Sequence, residues 1–235
     1  MAVSACLSQP ITKMTARTPS MGLTYDILIA DDHPLFRSAL RQALRDGLGE
    51  TVSLNEVGSI SELQQRLAER ADWDLVLLDL NMPGAYGFSG LAQMRGQYPQ
   101  IPVILISAQE EPTIARRARD FGASGFIPKS ASLEAIQAAV QSVLDGSVCW
   151  PPGIDNPPGM SDEQQQISER VASLTPQQFR VLTMVCDGLL NKQIAYELDV
   201  SEATVKAHVT AIFRKLNVRT RTQAALVLQQ MELAS

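Results

Sequence analysis

Leu77-Leu78-Asp79-Leu80-Asn81-Met82-Pro83-Gly84 carries a short, dense apolar run onto a carboxylate. The run is strand-sized, and its lack of alternation predicts a strand buried on both faces over 74–78, ending at Asp79. Four similar runs lie outward from it, at 25–30, 52–57, 103–106 and 125–127. Helix-like stretches separate them, at about 34–47, 60–71, 86–97, 110–121 and 132–145. In the first of these, Leu35, Ala39, Leu40, Ala43 and Leu44 follow helical spacing. Ser132 serves as N-cap of the last helix, and Gly146 as its stop. Five strands alternating with five helices imply a doubly wound α/β unit, a parallel sheet covered on both faces. Right-handed crossovers bring the strand C-termini to one edge, where such sheets bind their ligands.

That edge collects a distinctive set of side chains. Asp31 and Asp32 end the first strand, Asp79 the third and Ser107 the fourth, and Lys129 follows the fifth. Each alone has a plainer use, as a cap, a solvated turn or a surface charge, but the convergence is more specific than any one residue. Neighbouring carboxylates repel and need a cation in a folded site. An all-oxygen set suits Mg2+, and an aspartate can accept a phosphoryl group. Lys129, the Ser107 hydroxyl and the ion would balance the charge of that group.

Ile29-Ala30-Asp31-Asp32-His33-Pro34, the Leu77–Gly84 stretch, Ile106-Ser107-Ala108 and Ile127-Pro128-Lys129 resemble the receiver domains of two-component response regulators, over about 21–146. The resemblance implies a flavodoxin-like fold with Asp79 as phosphoacceptor for a histidine kinase. It implies Mg2+ held directly by Asp32, Asp79 and the backbone carbonyl of Asn81, with Asp31 nearby through water. Ser107 takes the position of the switch hydroxyl, Phe126 that of the switch aromatic, and Lys129 that of the phosphoryl partner. Asn81 and Gln109 occupy the positions that tune acyl-phosphate lifetime.

After Gly146 the composition changes. Pro151, Pro152, Pro157 and Pro158 among glycines mark a semi-rigid linker, and the polar stretch 161–171 either extends it or forms a short helix. Four helical signals follow. Thr175-Pro176 opens the first and Gly188 stops it, Asn191 starts the second, Ser201 caps the third, and the fourth runs from about Thr220 to Met231. The pair 191–198 and 202–216, joined by Asp199-Val200-Ser201, has the form of a helix-turn-helix. Its second helix offers Glu202, Thr204, Lys206, Ala207, His208, Thr210, Arg214 and Lys215 outward.

Leu174-Thr175-Pro176, Asn191-Lys192-Gln193-Ile194-Ala195, the stretch 200–208 and Lys215-Leu216-Asn217-Val218 are similar to LuxR/NarL-type C-terminal domains, over about 171–233. The resemblance implies that Lys206, Ala207 and Thr210 face the major groove, with Lys192, Thr204 and His208 near phosphates. Ala224, Ala225, Leu228 and Met231 lie on the family's dimer helix, although packing within one chain explains them almost as well. Ala207 and Thr210 make the reading helix less cationic than in many relatives, and Leu189-Leu190 stands where a more polar turn is usual.

The net charge of −5 conceals an asymmetry. Residues 21–150 hold 10 Lys/Arg against 16 Asp/Glu, while 171–235 hold 7 against 5, which suits a nucleic-acid partner for the second half alone. Three scattered cysteines and two histidines argue against a disulfide framework or a thiolate or His-rich metal site, and fit a reducing cytoplasm. No apolar stretch is long enough to span a bilayer. The expected organisation is a disordered tail at 1–22, or an upstream start with Met21 as the true one. A receiver follows at 23–146, a linker at 147–170 and a four-helix DNA-binding domain at 171–235.

The expected function is regulation, not enzymatic turnover. Phosphorylation would control homodimerisation and binding to double-stranded DNA, with the resting receiver covering the recognition helix. A phosphorylation-independent interaction module and a carboxylate-nucleophile phosphohydrolase are the alternatives.

Overall fold

A computed structural model describes residues 24–152, 154 and 161–231. The expected tail, Met21 and the Pro157-Pro158 pair lie outside the described residues. β1 (Tyr25–Ala30), β2 (Val52–Val57), β3 (Leu75–Asp79), β4 (Val103–Ser107) and β5 (Gly125–Pro128) form one parallel sheet in the order β2-β1-β3-β4-β5. β3 and β4 are buried at every position, as central strands covered on both faces must be.

The crossovers are α1 (Pro34–Leu48), α2 (Ile60–Glu69), α3 (Ser89–Gln97), α4 (Pro112–Asp120) and α5 (Leu133–Leu144). Leu40, Leu44, Ile136, Val140 and Val143 of α1 and α5 pack on one face of the sheet, over Ile27, Ile29, Leu75, Leu77, Ile104 and Ile106. On the other face, Leu28, Val76, Leu78 and Leu105 meet Leu63, Leu67, Leu91, Met94 and Ile114 of α2, α3 and α4. The period of two along each strand thus feeds two separate apolar layers. Ser59 caps α2 and Ser132 caps α5 through side-chain oxygens, and Gly146 takes φ 84° just past α5.

The apolar stripe of α1 differs from the expected one. Leu35 is 88% exposed and Ala39 is exposed, whereas Leu40, Ala43 and Leu44 are buried and Phe36 packs beside them. The helix starts immediately beyond the end of β1, so its first turn overhangs the sheet edge and only later turns lie over the sheet.

The C-terminal half contains α6 (Asp162–Ala172), α7 (Pro176–Cys186), α8 (Asn191–Glu197), α9 (Glu202–Leu216) and α10 (Arg221–Gln229). The polar stretch 161–171 is thus helical. Ser161 and Gln164 close a capping box at its start, and Ile167 and Val171, one turn apart, are buried while the glutamines face out. Thr175 and Gln178 form a second capping box on α7.

The two halves share one continuous apolar cluster, because α6 packs along α3 and α7 touches α2 and α3. Gln97 Nε2 donates to the Ala172 carbonyl at 3.1 Å, Tyr86 Oη donates to Asp187 Oδ1 at 2.6 Å, and Phe88 N donates to the Met231 carbonyl at 3.0 Å. Gly96 permits the approach, since a Cβ there would overlap the Ala172 carbonyl. α3 is consequently buried from Ser89 to Met94 without interruption. Gln64 on α2 and Gln93 on α3 are enclosed with amide atoms that find no hydrogen-bond partner among the described residues. No helix among the described residues is long and apolar enough to cross a membrane.

Candidate functional site

β1 delivers Asp31 and Asp32 to the sheet edge, β3 ends on Asp79, β4 ends on Ser107, and Lys129 directly follows β5. The five residues expected to converge do converge. Lys129 Nζ lies 2.9 Å from Asp79 Oδ2 and 2.7 Å from Asp31 Oδ2. Asp31, Asp79 and Ser107 are almost fully enclosed, while Asp32 keeps 29% of its side chain exposed. Asn81 N approaches Asp79 Oδ1 at 3.4 Å, and Gln109 N donates to Ser107 Oγ at 3.0 Å, so both residues border the site. Phe126 is 2% exposed, with its ring already inside the fold.

The electrostatics are those of crowded carboxylates around one cation. Burial pushes the Asp79 carboxyl above its ordinary range, and the charge of Asp31 adds to this, against the hydrogen bond from Lys129. For Lys129, burial works to lower the ammonium pKa. The bonds to Asp31 and Asp79 outweigh it, and the net direction is up. One ammonium therefore serves two buried carboxylates, with Asp32 beside them.

Asp31, Asp32, His33 and Asp79 offer ligand atoms that all lie within 4.8 Å of one another. Asp31 Oδ2 and Asp32 Oδ1 are buried oxygens whose contacts are ion pairs, with Lys129 Nζ at 2.7 Å and His33 Nδ1 at 2.6 Å. Three carboxylates with unused lone pairs, and no thiolate, suit a hard divalent cation such as Mg2+.

Several supporting residues escaped the sequence reading. Arg37 donates to the Asp31 carbonyl and to Glu56 Oε2, and Arg41 also pairs with Glu56, which ties α1 to β2 beneath the acidic pair. Phe36 lies under Lys129, with the ammonium 4.9 Å from the ring centroid. Ser130 Oγ donates to Glu110 Oε1, joining the loops after β4 and β5. Glu56 at the end of β2, and Arg37 one turn into α1, were the available signals, because both belong to the same sheet edge.

In the second half, α8 and α9 pack against each other through the expected turn, where Asp199 takes φ 51°. Ser201 caps α9, and Val205, Ile212 and Leu216 turn inward. Lys192, Thr204, Lys206, Ala207 and Thr210 are exposed, and His208 is half-buried. Two expectations change. Lys215 is not outward: its Nζ reaches back to the Ser173 carbonyl at 2.7 Å and to Gln178 Oε1 at 2.8 Å. The receiver does not cover α9 either, because α6 and α7 supply the docking surface and the Lys206–Thr210 face points to solvent. On α10, Ala224 and Leu228 are buried within the chain, as is Met231 just beyond it, and Leu226, 54% exposed, lies on the outward side.

Comparison with known proteins agrees with this architecture. Residues 27–141 match the response regulator receiver domain family, and residues 172–228 match the luxR family of bacterial regulatory proteins. The chain is 41% identical over 208 residues to the glycerol metabolism activator of Pseudomonas putida, covering 86% of this chain and 94% of that one. It is 34% identical over 210 residues to the nitrate/nitrite response regulator protein NarL of Escherichia coli (strain K12), covering 87% and 94%. The fold resembles that of the RcsB response regulator of Salmonella typhimurium, with TM-score 0.52 and 21% identity over 88% of this chain and 99% of that one. The chain belongs to the two-component response regulators that join a receiver domain to a LuxR-type, helix-turn-helix DNA-binding domain and regulate transcription.

Proposed function

We propose that Asp79 accepts a phosphoryl group from a histidine kinase, and that this modification controls dimerisation and DNA binding by the C-terminal half. The observation that carries the reading is the Asp31–Lys129–Asp79 contact set at one sheet edge, with Asp32 and Ser107 beside it. In the transfer, an Asp79 oxygen bonds to phosphorus while the phosphorus–nitrogen bond of a phosphohistidine breaks, and the imidazole leaves with that electron pair. Lys129 turns its charge from Asp79 to the phosphoryl oxygens. The Ser107 hydroxyl, which accepts from Gln109 N, keeps its own proton to donate. Asp32, Asp79 and the Asn81 carbonyl, with Asp31 nearby through water, would hold Mg2+, which would supply charge neutralisation to the phosphoryl group. Phe126 behind Ser107 senses the inward pull of the hydroxyl.

On the DNA side, α9 enters the major groove with Lys206, Ala207 and Thr210 toward bases, while Lys192, Thr204 and His208 lie near phosphates. Because the reading face is open in the docked arrangement, the modification acts by favouring a pair of chains on two half-sites rather than by uncovering one helix. A coupling of about 1–3 kcal/mol gives a several-fold to hundred-fold change in affinity.

The test incubates the full chain with acetyl phosphate and Mg2+, follows phosphoryl incorporation by intact mass, and measures operator affinity with and without beryllofluoride. Wild type gains one phosphoryl group and binds DNA more tightly, and Asp79→Asn does neither. Equal DNA affinity in all states would leave only a phosphorylation-independent receiver.

A further inference from the structure

We propose that α9 reads DNA chiefly through an apolar contact to thymine methyl groups, so that its half-sites are defined by T at the positions facing Ala207, Thr210 and Ala211. This rests on the proposed entry of α9 into the major groove.

The argument starts from what each outward side chain has left to offer. Thr210 carries a hydroxyl and a methyl. Its Oγ1 donates to the Lys206 carbonyl at 2.9 Å, one turn back, so the donor is consumed within the helix and the exposed side chain keeps its methyl to offer. Ala207 is exposed and has only Cβ to present, and the same is true of half-buried Ala211. Thr204, the other hydroxyl on this helix, shares its oxygen with Ser201 Oγ at 2.8 Å. Ala207, Thr210 and Ala211 line a shallow hollow whose rim is Lys206 and Arg214. Lys206 is paired with Glu202 at 3.0 Å, but both are exposed, and an exposed i,i+4 pair is weak enough to yield to a phosphate or a purine edge.

The centre of the reading face is therefore apolar and the cations are marginal. In the major groove, apolar centres select the C5-methyl of thymine, which alone among the bases projects a methyl group there. Of the rim cations, Arg214 offers phosphate attraction without sequence information, and Lys206 adds at most one purine contact beside the apolar centre. A cation or amide at the Thr210 position would instead address purine acceptors, and none is present.

The experiment uses the full chain to select duplexes from a random library, then replaces each thymine of the selected half-site with deoxyuridine, which removes only the methyl. Loss of about fourfold in affinity per contacted methyl is expected at one to three positions, the effect of exposing one methyl-sized group. Thr210→Val keeps the methyl, discards the hydroxyl, and retains the thymine-over-uracil preference. Thr210→Ser keeps the hydroxyl, discards the methyl, and loses the preference at one position. Selected sites indifferent to deoxyuridine, or a preference that survives in Thr210→Ser and vanishes in Thr210→Val, overturns the proposal. Failure to enrich any duplex overturns instead the reading that α9 is a DNA-binding helix.

Discussion

Lys129 stands between two buried carboxylates, and its removal tests how much of the site's order depends on one ammonium. Lys129→Ala leaves Asp31 and Asp79 facing each other in a poorly hydrated pocket, and breaking a buried pair in this way costs about 3 kcal/mol. Adding Asp79→Asn removes one of the opposed charges and recovers much of that loss. Urea denaturation of both variants in Mg2+-free buffer checks the pair, and equal stability of single and double variants would contradict the contact set.

A second carboxylate gives a pH signature. Arg70 donates to Asp26 Oδ2 and holds its carboxyl below the ordinary range, against partial burial. A depressed folded-state pKa means stability that is present at neutral pH and lost as pH falls through that value. Because the pair is partly exposed, Asp26→Asn is expected to cost only about 0.5 kcal/mol at neutral pH. The cost shrinks as pH falls below the ordinary aspartate range and is gone once pH is below the depressed folded-state value, and denaturation curves at neutral and acid pH decide it.

At the scale of elements, β1 and β2 were legible to the residue, because apolar runs bounded by polar turns specify strands well. β3 and β4 each extend one residue further than the apolar run, onto Asp79 and Ser107, since backbone pairing continues where hydrophobicity has stopped. The acidic edge was legible because strand ends are short-range features and the crossover rule gathers them. The support from Arg37, Phe36 and Glu56 was not, because it depends on how α1 leans on β2.

α6 was ambiguous for a different reason. Three consecutive glutamines hide the Ile167–Val171 stripe, and its partner α3 is distant in the chain. Ser161→Ala removes one half of its capping box, and the expected cost is about 1 kcal/mol, seen as faster amide hydrogen exchange in the first turn of α6. Unchanged exchange there would show that docking on α3, rather than the cap, fixes the helix start.

At the scale of the molecule, the loop that leaves Asp79 is also the loop that meets the DNA-binding half. Tyr86 bonds to Asp187, and Phe88 bonds to Met231, within ten residues of the proposed phosphoacceptor. Gly96 offers a lever on that joint that touches neither the acidic edge nor α9. Gly96→Ala pushes a methyl group into the Ala172 carbonyl, so α6 has to withdraw from α3. Small-angle scattering is expected to report a larger radius of gyration, with phosphoryl acceptance by Asp79 retained. A variant as compact as wild type would mean that the joint can yield locally.

Gln64 and Gln93 add a bias of their own. Among the described residues, both amide atoms of Gln64 and the Nε2 of Gln93 are sealed without a hydrogen-bond partner, and each such group forfeits roughly 1–3 kcal/mol relative to its hydrated state. Parting the halves would let water reach the helices that carry them, and the apolar gain of closure is offset to that extent. The closed form is therefore held by a narrower margin than its shared apolar layer alone would supply.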